Sequence, residues 1–267
     1  TDNNFIASRL TGTDELRANA TNAASTNNGA VWDSNAGWCT NGFNSNSQAW
    51  MWKRHAGFDV VTYTGNGVAN AGHEIRHSLS KVPEMIWVKA REDSQNWRVY
   101  HKGLNGGTNP EQYSIRLNWD SAEQDTDSIW YDTAPTSTAF TVGNDGNTNS
   151  ADKGYLAMLF SSVSGISKVG SYTGTGSIAS GQNNPQTTGF SPRFLMFKRA
   201  DGTGDWYVFD TTQGISSGND PYFTMNGSAQ VTGTDYIDPH SSGFTITSSA
   251  PAGLNASGGT YLYLAFA

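Results

Sequence analysis

The chain repeats one sequence plan, and this repetition constrains the possible fold more than any other feature. The segment Tyr-Thr-Gly-Asn-Gly that begins at Tyr63 returns as Tyr-Thr-Gly-Thr-Gly at Tyr172, 109 residues later. A Pro-led apolar segment that begins at Pro83 and an aromatic segment that begins at Trp97 return at the same offset. Three landmarks at one spacing indicate that a supersecondary unit was duplicated, so the fold has to be derived for each repeat.

Each repeat consists of short strands. Apolar residues alternate with polar ones at Ile115, Leu117 and Trp119, which therefore share one predicted buried face. Similar runs are separated by clusters such as Gly-Asn-Gly and Asn-Asp-Gly, which favour tight turns. About seven such strands in a repeat of ~105 residues predict an all-β fold of tandem antiparallel β-sandwiches, of the jelly-roll or lectin-like kind. The blade of a β-propeller has only ~40–50 residues, so the period argues against a propeller.

The landmarks divide the chain into three units. Repeat 1 (residues 1–57) corresponds to the C-terminal part of a unit, and repeats 2 (58–164) and 3 (165–267) are complete. Half a sandwich exposes sheet edges and apolar faces, so we expect upstream sequence, a neighbouring repeat or another subunit to cover repeat 1. The first residue is not Met, which indicates a processed or truncated N-terminus.

Repeat 1 is aligned with repeat 2 through three short similarities. The first pairs Phe5 with Trp97, the second pairs Trp32 with Trp130, and the third pairs Gln48–Trp52 with the closing strand that begins at Tyr155. Residues two apart in a strand lie on the same face, so the two tryptophans of Gln48–Trp52 are predicted to pack inside together.

Composition and charge limit the classes of function. The net charge of −7 opposes binding to nucleic acid and to anionic membranes. Cys39 is the single cysteine, so the chain has no internal disulfide and no cysteine-based metal cluster. No apolar run approaches the ~18–20 residues that span a bilayer. Charged residues make up only 15% of the chain, and the resulting uncharged polar surface is typical of secreted and virion proteins.

The sequence offers no convincing catalytic set, so we expect neither an enzyme nor a required cofactor. His73–His77 has the His-Glu-x-x-His spacing that binds zinc on a helix, with Glu74 as the base. It lies, however, in the predicted polar loop 65–80. The acidic residues of 120–127 fall in one loop, whereas glycoside hydrolysis needs two carboxylates on opposite sides of the bond.

One polar segment leaves calcium open as a cofactor. Asn144, Asp145 and Asn147 give it the oxygen density of a calcium loop, although the distal Glu of an EF-hand is missing. Asp-Gly between two strands is also the ordinary sequence of a hairpin turn. The turn is the favoured interpretation, and calcium binding is the alternative.

A few aromatic residues indicate carbohydrate binding. Trp38 has no counterpart in the other repeats, and Trp130 and its neighbour Tyr131 have none in the last repeat. Adjacent strand residues point to opposite faces, so one of Trp130 and Tyr131 should face solvent. Exposed aromatic rings beside Asn and Asp bind sugar rings by apolar stacking and hydrogen bonds. We therefore select Trp38, Trp130 and Tyr131 as candidate glycan-binding residues.

The combined motifs resemble a family of tandem repeats found in tailed bacteriophages, often marine ones. The family pattern is Gly-Phe-x-Pro, an apolar strand ending in Lys, an aromatic strand, and an Asn-Ala-Ser-Gly loop before a closing strand. In this chain Gly189–Pro192, Asp205–Gly214 and Asn255–Tyr261 match that order, and Ala49–Lys53 is similar to the family's Trp-x-Trp-Lys ending. Repeat 2 departs from the pattern at Pro83, which lacks the preceding Gly-Phe, and in the loop before its closing strand.

The resemblance implies a virion protein built of concanavalin-like or laminin-G-like sandwiches, with no catalytic residue. We therefore expect a structural component of a tail fibre or appendage, located in the extracellular particle, that contacts other virion proteins and host surface polysaccharide. Such fibres are often trimers, so a homo-oligomer is expected. Two alternatives stay open: a ligand-free capsid decoration or spacer protein, and a polysaccharide depolymerase.

Overall fold

The computed structural model describes residues 3–26, 30–32, 39–40, 48–55, 57–176, 183–228 and 230–267. Strands account for 39% and helices for 9% of the structure, and the sheets are antiparallel. The predicted all-β class is therefore confirmed.

The strands fall into the three repeats in chain order. In repeat 1 the described strands are β1 (Phe5–Ala7), β2 (Asp14–Arg17), β3 (Ser25–Thr26), β4 (Ala30–Val31) and β5 (Cys39–Thr40). Repeat 2 contains β6 (Phe58–Thr64), β7 (His73–Arg76), β8 (Met85–Ala90), β9 (Arg98–His101), β10 (Tyr113–Arg116), β11 (Gln124–Asp125), β12 (Ala139–Val142) and β13 (Gly154–Phe160). Repeat 3 contains β14 (Ser167–Thr173), β15 (Asn184–Thr187), β16 (Phe194–Arg199), β17 (Trp206–Asp210), β18 (Tyr222–Thr224), β19 (Gln230–Val231), β20 (Ile237–His240), β21 (Gly243–Ile246) and β22 (Thr260–Phe266).

The helices are short and lie in the connections between strands. The α-helices are α1 (Asp127–Trp130), α2 (Gly146–Asn149) and α3 (Ala252–Asn255). The 3₁₀ helices are Arg9–Thr11, Leu104–Gly107 and Pro110–Gln112.

Repeats 2 and 3 have the same sheet topology. Their large sheets have the orders β11-β10-β9-β8-β13-β6 and β19-β18-β17-β16-β22-β14. Each repeat adds a smaller sheet, β12-β7 in repeat 2 and β15-β21-β20 in repeat 3. Tyr63 and Tyr172 occupy equivalent places, because Tyr63 stacks on Tyr155 with ring centroids 5.1 Å apart and Tyr172 stacks on Tyr261 at 4.9 Å.

Both faces of each large sheet are buried. In repeat 2 one face of the large sheet packs on the smaller sheet, and Ile86 and Phe140 belong to the same buried hydrophobic cluster. In repeat 3 the equivalent cluster includes Leu195 and Phe244. The opposite face, which includes Trp87, belongs to a third cluster, called the central core below. Burial on two sides explains why Met85–Ala90 is apolar along most of its length instead of alternating.

All three repeats contribute to the central core. Its buried members include Leu16 and Ala18 of repeat 1, Trp97 and Leu117 of repeat 2, and Trp206 and Met225 of repeat 3. The fold is therefore one body with a shared interior and two flanking sandwich cores.

Buried tryptophans join successive repeats by the same hydrogen bond. Trp97 Nε1 of repeat 2 donates to the Arg17 carbonyl of repeat 1 at 2.8 Å. Trp206 Nε1 of repeat 3 donates to the Arg116 carbonyl of repeat 2 at 2.7 Å. Repeat 3 thus sits on repeat 2 as repeat 2 sits on repeat 1.

Repeat 1 closes this pattern by contacting repeat 3. Asn4 Nδ2 donates to the Thr224 carbonyl at 2.9 Å. Thr224 pairs with the residue after Trp206, as Arg116 pairs with the residue after Trp97, so Thr224 and Arg116 are counterparts. The three repeats therefore form a closed ring around the central core, with approximate threefold symmetry.

The ring corrects the predicted alignment of repeat 1. Phe5 pairs with Arg17 as Arg98 pairs with Arg116, so Phe5 is the counterpart of Arg98 and Asn4 is the counterpart of Trp97. The prediction that paired Phe5 with Trp97 is wrong by one residue. A shift of one residue moves a strand side chain to the other face of the sheet. Phe5 accordingly is 38% exposed, whereas Trp97 is buried in the central core.

A lysine near the end of each Pro-led strand also joins the repeats. Lys89 Nζ donates to the Thr21 carbonyl at 3.2 Å, and Lys198 Nζ donates to the Asp120 carbonyl at 2.9 Å. Burial lowers the pKa of each lysine to about 8. Carbonyl oxygens are good acceptors for a buried ammonium, which explains why both strands carry a Lys as their fifth residue.

Gln48–Trp52 is not a strand, so its predicted role as a closing strand is wrong. In repeats 2 and 3 the closing strand lies between two other strands of the large sheet, and the described part of repeat 1 supplies neither neighbour. Both of its tryptophans do pack against the central core. The Trp52 ring centroid lies 5.9 Å from those of Phe160 and Phe266, at the ends of the closing strands.

Candidate functional site

Trp130 and Tyr131 lie at the end of α1 and not in a strand. Trp130 is 2% exposed and packs against Tyr100 with ring centroids 6.1 Å apart, so its selection as a glycan-binding residue is wrong. Tyr131 follows the helix with a left-handed φ of 53°. That conformation turns the chain sharply, and the Tyr131 ring is 39% exposed.

Several carboxylates lie near Asp132, the residue that follows Tyr131. Desolvation raises the pKa of Asp132, and the charges of Asp127, Asp125 and Glu111 raise it further. The Thr133 hydroxyl donates to the Tyr131 carbonyl at 2.7 Å, which holds the turn. The site combines an aromatic face with several hydrogen-bond acceptors, which suits a ligand that carries hydroxyl or amino groups.

Trp119 is a second exposed ring, which the sequence analysis placed in the core. It is 53% exposed, whereas Leu117 of the same predicted row is fully buried. The alternation fails because β10 ends at Arg116. By the strand register the repeat 3 counterpart of Trp119 is Gly227. Because Gly has no side chain to bury, this counterpart indicates that the position does not belong to the core.

The segment proposed as a calcium loop is a capped helix. Asp145 is the N-cap of α2, and its side chain accepts from the Asn147 backbone N–H at 2.7 Å. The Asn147 side-chain oxygen accepts from the Asn96 backbone N–H at 2.8 Å, and Asn144 is exposed. Internal donors therefore use side-chain oxygens of Asp145 and Asn147, and the predicted hairpin turn is replaced by a helical turn.

The His73–His77 motif does not form a helix. His73–Arg76 is strand β7 inside the predicted polar loop, paired with β12. The His73 Nδ1 atom lies 3.2 Å from the Asn149 side-chain oxygen, and the His77 Nε2 atom lies 3.2 Å from the Thr136 carbonyl. In an extended strand the two imidazoles are about 13 Å apart along the chain, which is too far for one zinc ion.

Two further observations concern the described residues. No group of three or more His, Cys, Asp and Glu side chains is arranged there to hold a metal ion. No helix in that part of the chain has the length and apolar character needed to cross a membrane. Trp38, the third candidate glycan-binding residue, lies outside the described residues.

A cavity of about 490 Å³ lies where repeat 1 meets repeat 3. Trp50 and Trp52 form one wall, and Phe194, Phe266 and Asp210 form the other. The Trp50 Nε1 atom donates to Asp210 Oδ2 at 3.1 Å across it. The cavity is aromatic with polar groups at its rim, which are general properties of binding pockets.

Two of the fully buried titratable side chains differ in location, because one lies between repeats 2 and 3 and the other lies inside repeat 3. His101 is fully buried, its Nε2 atom lies 3.4 Å from the Tyr263 carbonyl of repeat 3, and burial lowers its pKa to about 4. Its Nδ1 atom accepts from the Gly103 N–H at 2.9 Å, which fixes the tautomer with the proton on Nε2. Asp220 is fully buried in repeat 3, and burial raises its pKa to about 6.

The sequence was also compared with known proteins. A family model described as Domain of unknown function (DUF7483) matches residues 1–267. The chain belongs to this family. No curated protein and no solved structure matches it. The family match covers all three repeats, so it includes the residues that close the ring of repeats and the exposed side chains of Trp119 and Tyr131.

Proposed function

We propose that this DUF7483 protein is a structural component of a bacteriophage particle, in a tail fibre or another appendage, and that it contacts glycans on the host surface. The proposal rests on the resemblance of its ordered motifs to tandem repeats of tailed phages. The closed ring supports it, because three repeats share one core that buries the inner faces of the large sheets of repeats 2 and 3. Repetition also multiplies weak contacts through avidity.

The observation that carries the glycan part is the exposed Tyr131 side chain directly before Asp132, whose carboxylate lies near other carboxylates. A sugar stacks on an aromatic face through its C–H groups and donates hydroxyl protons to nearby carboxylates. Asp132 follows Tyr131 in the chain, and Asp125 and Asp127 interact with Asp132, so we propose these three residues as the acceptors. The same charges repel uronic acids and sulfated sugars, so the ligand class that fits is a neutral or amino-bearing polysaccharide.

A glycan array of bacterial surface polysaccharides tests this assignment. We expect the folded chain to bind neutral or amino-bearing glycans, and we expect Tyr131→Ala to reduce that binding by about tenfold, because a stacked aromatic ring contributes ~1 kcal/mol or more. Val82→Ala, which truncates another exposed apolar residue, is the matched control and should bind as the wild type does. Trp119→Ala identifies which exposed ring carries the contact.

Two outcomes would favour the alternatives. A folded chain that binds no polysaccharide on the array indicates a decoration or spacer protein. Release of reducing ends with turnover indicates a depolymerase. Assembly with other copies is part of the proposal, and light scattering that gives a mass near 28.7 kDa at high protein concentration would contradict a trimer.

A further inference from the structure

Strand β1 lacks a neighbour that its counterparts have. In repeat 2, β9 lies between β10 and β8, and in repeat 3, β17 lies between β18 and β16. In the described part of repeat 1, β1 pairs with β2 alone. Among the residues that the structure describes, one edge of β1 is therefore unpaired where the other two repeats carry their Pro-led strand.

The backbone groups on this open edge can be assigned. The Ala18 N–H donates to the Asn4 carbonyl at 2.7 Å, so the backbone groups of Asn4 face β2. Backbone groups in a strand alternate in direction, so those of Ile6 also face β2 and those of Phe5 and Ala7 face outward. Unpaired N–H and C=O groups along an edge are a template for another strand.

The cavity between repeats 1 and 3 lies where the described part of repeat 1 lacks a second strand. In repeat 2 the segment after β9 packs on repeat 3, where a Cβ atom placed on Gly103 would lie 2.9 Å from Ser171 and 3.0 Å from Leu262. The counterpart segment after β17, which includes Thr211 and Thr212, instead lines the cavity. The cavity therefore lies where repeat 1 would place the counterpart of β14.

We propose that the open edge of β1 binds an extended strand of another polypeptide. The incoming strand pairs antiparallel with Phe5–Ala7 and takes the place that β8 has in repeat 2 and β16 has in repeat 3. Strand addition of this kind gains affinity from main-chain hydrogen bonds and specificity from side-chain pockets. The inference is independent of the proposed function, because it follows from the ring alone.

The two internal strands define the chemistry of the partner. β8 and β16 are both apolar and both carry a lysine as their fifth residue, Lys89 and Lys198. Each lysine donates to a carbonyl of the preceding repeat, and the strand register makes Ser228 of repeat 3 the counterpart acceptor. The partner strand should therefore carry apolar residues on both faces and a lysine near its end, which the net charge of −7 also favours.

A labelled peptide with the sequence of Pro83–Ala90 is the probe, and fluorescence anisotropy is the measurement. We expect saturable binding to the full chain. Ala7→Pro removes an outward N–H without touching a β1–β2 hydrogen bond, and it should weaken binding by about tenfold. Ala7→Ser keeps that N–H and is the matched control, which should bind as the wild type does. Circular dichroism and thermal unfolding establish that both variants fold.

Modified peptides keep the test valid if Ala7→Pro fails to fold. The Lys102 N–H donates to the Glu84 carbonyl at 2.9 Å, so Glu84, Ile86 and Val88 direct their backbone groups toward β9. N-methylation at Val88 of the peptide should abolish binding, whereas N-methylation at Trp87 should be tolerated better. Lys89→Met in the peptide should also weaken binding. Absence of binding at millimolar peptide, or equal binding of the two N-methylated peptides, would overturn the proposal.

Discussion

Trp206→Phe is the substitution that best probes the contacts of the ring. The change removes the Nε1–H that reaches the Arg116 carbonyl at 2.7 Å. Trp206 is 1% exposed, so that carbonyl loses its donor where water cannot replace it. An unsatisfied buried acceptor costs about 1–3 kcal/mol, to which the loss of ring volume adds.

Trp87→Phe is the matched control for the loss of volume. Trp87 is fully buried in the same central core, and in the described residues its Nε1–H has no hydrogen-bond partner. The substitution therefore removes the same atoms without breaking a bond between repeats, and it relieves an unpartnered donor. We expect Trp206→Phe to lower the free energy of unfolding by ~2 kcal/mol more than Trp87→Phe.

Urea unfolding followed by circular dichroism measures this difference. The comparison requires that both variants have the same slope of unfolding free energy against urea concentration. Trp97→Phe should behave like Trp206→Phe, because its Nε1–H makes the equivalent bond to the Arg17 carbonyl at 2.8 Å. Equal destabilisation by Trp206→Phe and Trp87→Phe, within ~0.5 kcal/mol, would refute the role assigned to the hydrogen bonds between repeats.

Three further predictions concern buried polar groups. The pKa of His101 is about 4 in the folded chain and about 6.5 in the unfolded chain, so its contribution to stability is complete above pH 6.5 and is lost as pH falls toward 4. The free energy of unfolding of His101→Gln should therefore fall less steeply than that of the wild type over this pH range. Asp220 has the opposite sign, because its raised pKa of about 6 disfavours the fold above pH 6, so the wild type should gain stability relative to Asp220→Asn as pH falls from 6 to 4. Asn255→Ala should cost about 1–3 kcal/mol in thermal unfolding because the Thr175 N–H loses its buried acceptor at 2.9 Å, whereas Asn144→Ala, at an exposed side chain, should cost little. A similar pH profile for His101→Gln and the wild type, or equal costs of the two Asn substitutions, would contradict these assignments.

The strands were predictable where the repeated motifs placed them. The Pro-led apolar segment that begins at Pro83 contains β8, which starts at Met85, and the closing strand predicted to begin at Tyr155 is β13, which starts one residue earlier at Gly154. Their apolar runs bounded by turn residues are strong local signals. The strand at His73–Arg76 was missed because three of its four residues are polar and its pairing with β12 is not local.

The ring was not predictable from the sequence because its closure depends on contacts between distant residues. Asn4 and Thr224 are 220 residues apart. Asn4 is the counterpart of Trp97, and nothing in the sequence around this short polar residue indicates which carbonyl it binds. The candidate aromatic site was predicted in part. Trp130 and Tyr131 were correctly treated as a pair with different exposure, but the helical turn at Tyr131 decides which ring faces solvent. Trp119 was missed because a strand pattern was extended past the end of β10.

The most direct test of the ring is a nuclear Overhauser measurement between repeat 1 and repeat 3. The account predicts cross-peaks from the side-chain amide protons of Asn4 to the Hα protons of Thr224 and Met225, because the Asn4 Nδ2 atom lies 2.9 Å and 3.0 Å from their carbonyl oxygens. Assigned spectra of the folded chain in which the Asn4 amide shows no contact with either residue would contradict the closed ring.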